Sequence, residues 1–434
     1  MSKLIRWVLY FAIAASFLAA QILTIDLGFF QLSLFRMAVL LLPVLVIVYL
    51  CAAKRNPLCL FPKGKRNFYS VCFMVVWFLY ALISLAWTPD ISNGIRILYF
   101  LGAGTLCSVL FSAFFDKKEY FPILFRCMLV MIIFQSLIGW YEIIFRNYHF
   151  LSEFNQTYYS SASQRIPIAM MGNPNDYALL MLFGVFIGYI CYQCRRAKWE
   201  GMVSLFAAFS CCIHLLMSGS RACLLGLMMA AAMYAILLFK PSPKLLAALA
   251  GIAVGTALLL PDIRESLLSL LDFDFRPGHL NSVAERLNLI RNGFCFLIQT
   301  WGFGTGVGGI EQSMMSAPYP TDGILNMHNW WMEIAAEFGI LIFIGYLIFF
   351  CKLFVDLFHS ARTSNEPMIR AISMGLLCCM TGFLISGISP SSVMPLEWLW
   401  VFWAVAVAFH GYITSPADKP VDESPLIKKP AWIA

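Results

Sequence analysis

The residues best placed to do chemistry lie in the last third of the chain. His328 and Asn329 open an apolar stretch that continues Trp330-Trp331-Met332-Glu333-Ile334-Ala335-Ala336-Glu337. A spacing of four puts Asn329, Glu333 and Glu337 on one helical stripe. Glu337 then lies about 12 Å along the axis from Asn329, at ~1.5 Å per residue. That places carboxylates inside an apolar segment, where acids are costly unless they are paired or used. Each is therefore either part of a site or half of an ion pair with an arginine. His328, with an unperturbed pKa of about 6.5, suits a general base; the same side chain also suits a polar anchor at a helix mouth. Upstream, Met217-Ser218-Gly219-Ser220-Arg221 makes a tight turn into another apolar stretch. Arg221 falls at a helix N-terminus, where free backbone amides already favour an anion. Glu285, Arg286 and Arg291 lie in 282–300, where Val283, Leu287, Ile290 and Phe294 recur at helical spacing. That pattern predicts an amphipathic helix on or near a membrane, for which a simple interfacial anchor is the alternative role.

The elements that hold these residues are membrane helices. Apolar residues make up 61% of the chain and charged residues only 12%, against roughly 25% charged in a soluble domain. Apolar runs approaching the ~20 residues of a bilayer span recur throughout. They predict an all-α polytopic membrane protein of about twelve transmembrane helices: 4–20, 32–50, 68–86, 95–115, 121–145, 177–192, 202–217, 222–239, 245–260, 330–350, 371–387 and 396–409. The first run follows Lys3 and Arg6 like a signal peptide. Leu18 spoils the small-residue pattern before Gln21, so a retained helix is expected. Residues 1–413 form one transmembrane domain, 261–329 a large loop between the ninth and tenth spans, and 414–434 a polar tail. Loops of that length are usually functional.

Basic residues set the orientation. With a cytoplasmic N-terminus, 21 of the 30 Lys+Arg residues fall on the cytoplasmic side. The other side receives Arg36, Arg96, Arg146, Arg165, Arg221, Arg264, Arg276, Arg286 and Arg291 and no lysine. Arginine offers a planar fork that grips phosphate bidentately and stays charged when partly desolvated. A pyrophosphate-bearing lipid at the outer leaflet is the natural partner for such a set. Alternatively, several of these side chains snorkel or pair with Asp26, Asp90 and Glu142. The net charge of +7 is explained by cytoplasmic loops facing anionic lipid and needs no nucleic acid. The 14 cysteines lie mostly in apolar spans and give no disulfide framework; Cys191 and Cys194 form a lone CxxC. Gly304-Thr305-Gly306-Val307-Gly308-Gly309 fits GxGxxG, but it follows no strand, so it reads as a tightly turned or flexible loop. His328 has no histidine partner at zinc spacing, and neither a metal nor a cofactor is called for. Asn155-Gln156-Thr157 is a glycosylation sequon by pattern alone.

The landmarks, in order, resemble the O-antigen ligase and polysaccharide polymerase superfamily of bacterial envelopes. They are Trp87-Thr88-Pro89-Asp90 with Arg96; Gly172-Asn173-Pro174-Asn175-Asp176-Tyr177-Ala178; Ser218-Gly219-Ser220-Arg221; Glu285-Arg286; Trp301-Gly302-Phe303-Gly304-Thr305-Gly306; and His328-Asn329 with Glu333, Glu337 and Gly339. Each is weak alone, and the ordered set on this hydropathy profile is specific. The resemblance implies a glycosyltransferase of GT-C-type architecture in the bacterial inner membrane, both termini cytoplasmic and the active site extracytoplasmic. It implies undecaprenyl-pyrophosphate-linked glycan as donor, a glycan or lipid-linked acceptor, and a chain-length regulator protein as a further partner. By the same resemblance Arg221 and Arg286 bind the pyrophosphate, and His328 activates or orients the acceptor hydroxyl. Arg36, Arg96, Arg291, Asn173, Asn175, Asp176, Asn329, Glu333 and Glu337 are expected to contact substrate. The GNPNDYA form points to a polymerase of lipid-linked repeat units. A ligase that moves finished glycan to lipid A core, and a transporter of lipid-linked oligosaccharide, are the alternatives. Transporters often carry internal repeats and mid-membrane helix breaks; no repeat is visible in the sequence.

Overall fold

An apolar chain in lipid must satisfy its backbone amides internally, which favours helices. The computed structural model describes residues 1–18, 24–26, 31–61, 67–148, 151–152, 165–239, 242, 244 and 282–415, and is almost wholly helical. The helices are α1 Ser2–Ser16, α2 Leu34–Ala52, α3 Asn67–Ser84, α4 Ile91–Phe114, α5 Tyr120–Phe145, α6 Pro174–Gln193, α7 Lys198–Met217, α8 Arg221–Phe239, α9 Ser282–Gln299, α10 Ile310–Met314, α11 Trp330–Thr363, α12 Pro367–Ser386 and α13 Glu397–Ile413. A short ribbon pairs β1 Ile25–Asp26 antiparallel with β2 Gln31–Leu32. Among the described residues nine helices, α2–α8 with α11 and α12, are long and apolar enough to cross a membrane. The protein is a polytopic membrane protein. The expected span 245–260, the sequon, Arg264 and Arg276 lie outside the described residues, as does the tail from residue 416.

Contacts sort the bundle into two ends. At one, Lys118 pairs with Glu366 at 2.9 Å and Arg126 with Glu200 at 3.1 Å, and Lys352 lies over the Tyr69 ring. At the other, the site end, four helices begin with a side-chain cap. Ser33 accepts from the Arg36 amide, Asp90 from Asn93, Asn173 from Asn175 and Asp176, and Asn329 from Trp331 and Met332. Each cap satisfies an amide that a helix start leaves open. Between the ends, α8 crosses α12 at Gly226, where a Cβ would stand 2.7 Å from the Gly382 carbonyl; only a missing side chain allows that approach. Fully buried Trp77 centres an aromatic cluster with Trp330, Phe338, Tyr346 and Trp400.

One expected span is not a straight rod. Gly339, in the middle of α11, has φ 81° and ψ 172°. On an unbroken helix, residues sixteen apart are separated by roughly 24 Å. Yet Trp330 Nε1 donates to Tyr346 Oη at 2.9 Å. The helix therefore folds back at Gly339 into two arms, 330–338 and 340–363, which corrects the single span 330–350. The glycine-rich loop stabilises the break. Thr305 and Gly306 amides donate to the Ala336 and Glu337 carbonyls at 2.8 and 3.1 Å, and the Ile340 amide donates to the Gly302 carbonyl at 2.9 Å. A Cβ on Gly339 would lie 2.4 Å from the Gly302 oxygen, and one on Gly304 2.5 Å from the Glu337 oxygen. Thus GxGxxG here is a backbone clasp. Tyr80, Trp87, Thr88 and Asn93 donate to its carbonyls at 2.6–3.2 Å and fix it to the site ends of α3 and α4.

Candidate active site

Arg221 begins α8, Arg286 lies in the first turns of α9, and His328 precedes the cap of α11. The fold brings them together. Burial holds the half-buried Arg286 guanidinium below its ordinary pKa; Arg221 adds to that, and Glu285 and Cys223 oppose it. Arg221 is exposed. Among the described residues neither arginine forms an ion pair or a side-chain hydrogen bond. Two close, unpaired guanidinium groups repel one another, so an anion between them would relieve both.

His328 stands beside this pair. Its backbone lies in the left-handed region at φ 47°, an uncommon conformation for a residue with a side chain. Its amide donates to the Ser391 carbonyl at 3.2 Å. Burial first, and then Arg286, lower the imidazole pKa below its ordinary value; the Ser389 and Pro390 carbonyls pull the other way. A lowered pKa keeps the ring neutral at neutral pH and able to accept a proton. Nδ1 is buried with no hydrogen-bond partner among the described residues.

The segment that joins these parts, 387–392 between α12 and α13, carries no motif. The Ser389 hydroxyl donates to Asn175 Oδ1 at 2.8 Å and lies 2.8 Å from the Ser220 hydroxyl. Gly387 accepts the Trp330 amide at 3.0 Å. Ser392 donates to the Glu333 carboxylate. One short loop thus ties the Arg221 turn, the start of α6, His328 and the first arm of α11. Its signal in the sequence is Ser389-Pro390-Ser391-Ser392, a polar run between two apolar ones on the His328 side.

The other expected contact residues separate into groups. Asn175 faces Ser389, and Asn173 caps α6 and donates to Asp176 Oδ2 at 2.6 Å. Asn329 caps α11, and the Glu337 carboxylate accepts the Gly308 amide at 2.6 Å. Arg36 pairs with Glu397 at 3.2 Å and lies over the Tyr99 and Phe100 rings. Arg96 pairs loosely with Glu311 at 3.8 Å on an exposed surface. Arg291 covers the Tyr319 ring. Asp90 caps α4, and Glu142 accepts the Ile168 and Ala169 amides at 2.8 and 2.9 Å. Those acids therefore organise backbone on the site side.

A family model described as O-antigen ligase matches residues 205–347. The chain is 31% identical over 421 residues to the teichuronic acid biosynthesis protein TuaE of Bacillus subtilis (strain 168), covering 94% of this chain and 84% of that protein. The chain belongs to the O-antigen ligase family. The matched stretch runs from α7 to the start of the crossing arm of α11 and includes Arg221, Arg286, His328 and the glycine clasp. In this family member Asn175 and Ser389 reach the same place from outside that stretch.

Proposed function

We propose that this family member transfers a glycan from undecaprenyl pyrophosphate to an acceptor hydroxyl, and that it polymerises lipid-linked repeat units of a surface polysaccharide. The carrying observation is the convergence of two arginines that have no ion-pair partner among the described residues with a largely buried histidine whose pKa is lowered by its surroundings. In this reading His328 takes the proton from the acceptor O–H as the oxygen attacks the anomeric carbon. A new C–O bond forms, and the bond from that carbon to the phosphate oxygen breaks. The electron pair leaves with the lipid pyrophosphate, whose growing charge Arg221 and Arg286 neutralise. Direct displacement inverts the anomeric centre. No step asks for a metal or a nucleotide sugar. Similarity to a teichuronic acid biosynthesis protein supports an envelope polysaccharide as the product class. The gathering of Lys118 and Lys352 at the end opposite the arginine pair supports a cytoplasmic far end and an extracytoplasmic site.

The test is purified protein in nanodiscs with lipid-linked glycan, offered lipid-linked repeat or lipid A core in separate reactions, with His328→Ala alongside. A product ladder from repeat alone, lost in His328→Ala, is expected. Product only on lipid A core would make the protein a ligase. In sealed vesicles, movement of labelled lipid with no new glycosidic bond would falsify the enzyme.

A further inference from the structure

The outward edge of α9 is apolar where a helix in water should be polar. One side of α9 packs: Leu289 and Phe296 are buried with Ile310, Met314, Met327 and Ala336, and Gly293 leaves room for Met332. Away from that side, Phe294 is 54% exposed, Ile298 78%, Trp301 90% and Phe303 57%. Phe294 and Ile298 lie one turn apart on α9, and Trp301, at φ 54° in the turn that ends the helix, and Phe303 just beyond it extend that bare apolar surface. Large apolar side chains that bare and that close together mark a surface something else covers.

Where the edge ends decides what covers it. Gly302 bonds to the Ile340 amide, the first residue of the crossing arm of α11. That arm turns Leu341, Ile344, Ile348 and Val355 outward along one stripe, in a helix apolar enough to cross a membrane. The α9 edge therefore continues the lipid-facing wall of a membrane helix. Beside it, Tyr80 and Trp87 donate to the Phe303 and Gly304 carbonyls; amphipathic aromatics of this kind collect at membrane–water interfaces.

We propose that Phe294, Ile298, Trp301 and Phe303 seat α9 in the hydrocarbon border of the leaflet on the site side, with bilayer acyl chains as the occupant. Arg286 lies twelve residues before Ile298, about 18 Å away along α9. Seating the far end of that rigid element fixes the guanidinium relative to the lipid surface and presents it to anions carried by lipids. The identity of that anion rests on the proposed reaction; the seat does not.

The experiment places the fluorescent residue dansylalanine at position 298, 301 or 316, one at a time, in the full chain. Each protein is reconstituted in nanodiscs of phosphatidylethanolamine and phosphatidylglycerol. Position 316 is an exposed polar site in the same loop. Lipids brominated on their acyl chains should quench 298 and 301 and leave 316 bright, while aqueous iodide should do the reverse. Equal iodide quenching at all three positions would overturn the seat. Quenching by brominated lipid that disappears when polyprenyl pyrophosphate is added would also overturn it, by assigning the edge to a substrate chain. No turnover is needed for the readout, so it stands or falls separately from the proposed reaction.

Discussion

Replacing Arg286 by lysine or methionine separates a binding role from a structural one. The guanidinium is half-buried, makes no ion pair among the described residues, and feels the repulsion of Arg221. Hydrogen bonds to charged groups are worth about 1.5–3 kcal/mol each. Lysine keeps the charge and loses one arm of the bidentate fork. One such bond, at about 1.4 kcal/mol per decade, predicts a roughly ten- to hundredfold fall in kcat/KM for Arg286→Lys. Arg286→Met removes the charge as well and should fall further. Stability should move the other way, because methionine ends both the burial of an unpaired charge and its repulsion with Arg221. The assay is polymer formation from lipid-linked repeat in nanodiscs, read beside thermal unfolding of the same samples. Wild-type kcat/KM in Arg286→Lys, or a drop of several degrees in Tm for Arg286→Met, would refute the clamp and make Arg286 a structural residue.

His328→Gln should remove the acid limb of the pH–kcat/KM profile. In the wild type that limb lies below pH 6.5, because activity needs the neutral ring and its folded pKa is lowered. The matching stability term is present above the unfolded pKa and is lost as pH falls through the folded one; an acid limb above 6.5 would contradict the assignment. Ser389→Ala breaks the link between Ser220 and Asn175, at about 0.5–1.5 kcal/mol per hydrogen bond. A roughly two- to tenfold loss of kcat/KM is expected, less than additive with Ser220→Ala because the two share one bond; additive losses would show that the chain does no positioning. Gly339→Ala puts a Cβ 2.4 Å from the Gly302 oxygen at φ 81°, so thermal unfolding should begin several degrees lower. An unchanged Tm would mean that the fold-back does not need its glycine.

Many residues that make the family resemblance legible turn out to hold backbone in place. Asp90, Asn173 and Asn329 are helix caps. Trp87, Thr88, Gly304 and Gly306 meet in one clasp around the break in α11. Caps and glycine turns have fixed spacing from the helix they start or interrupt, so they survive as short local patterns. Ser389 has no such local constraint. Its role comes from facing Asn175 across 214 residues of chain, and the polar run around it marks a loop without marking that partner. Reading Asn329, Glu333 and Glu337 as one helical stripe holds within the first arm. Extending that helix straight to residue 350 does not, because the bonds that make a break tolerable at Gly339 come from residues 302–308.

A polytopic helical membrane protein, the approximate places of its helices, the amphipathic stretch 282–300 and residue types suited to phosphate and proton chemistry were legible in the sequence. These follow from hydropathy, periodicity and side-chain pKa, which are local properties. Only packing shows which of the described arginines have an acid partner among the described residues. Arg36 meets Glu397 across 361 residues and Arg96 meets Glu311, whereas Arg221 lies near enough to Arg286 to lower its pKa. A guanidinium's availability depends on which charges the fold brings within a few ångströms of it, and that distance is set by packing between helices far apart in the chain.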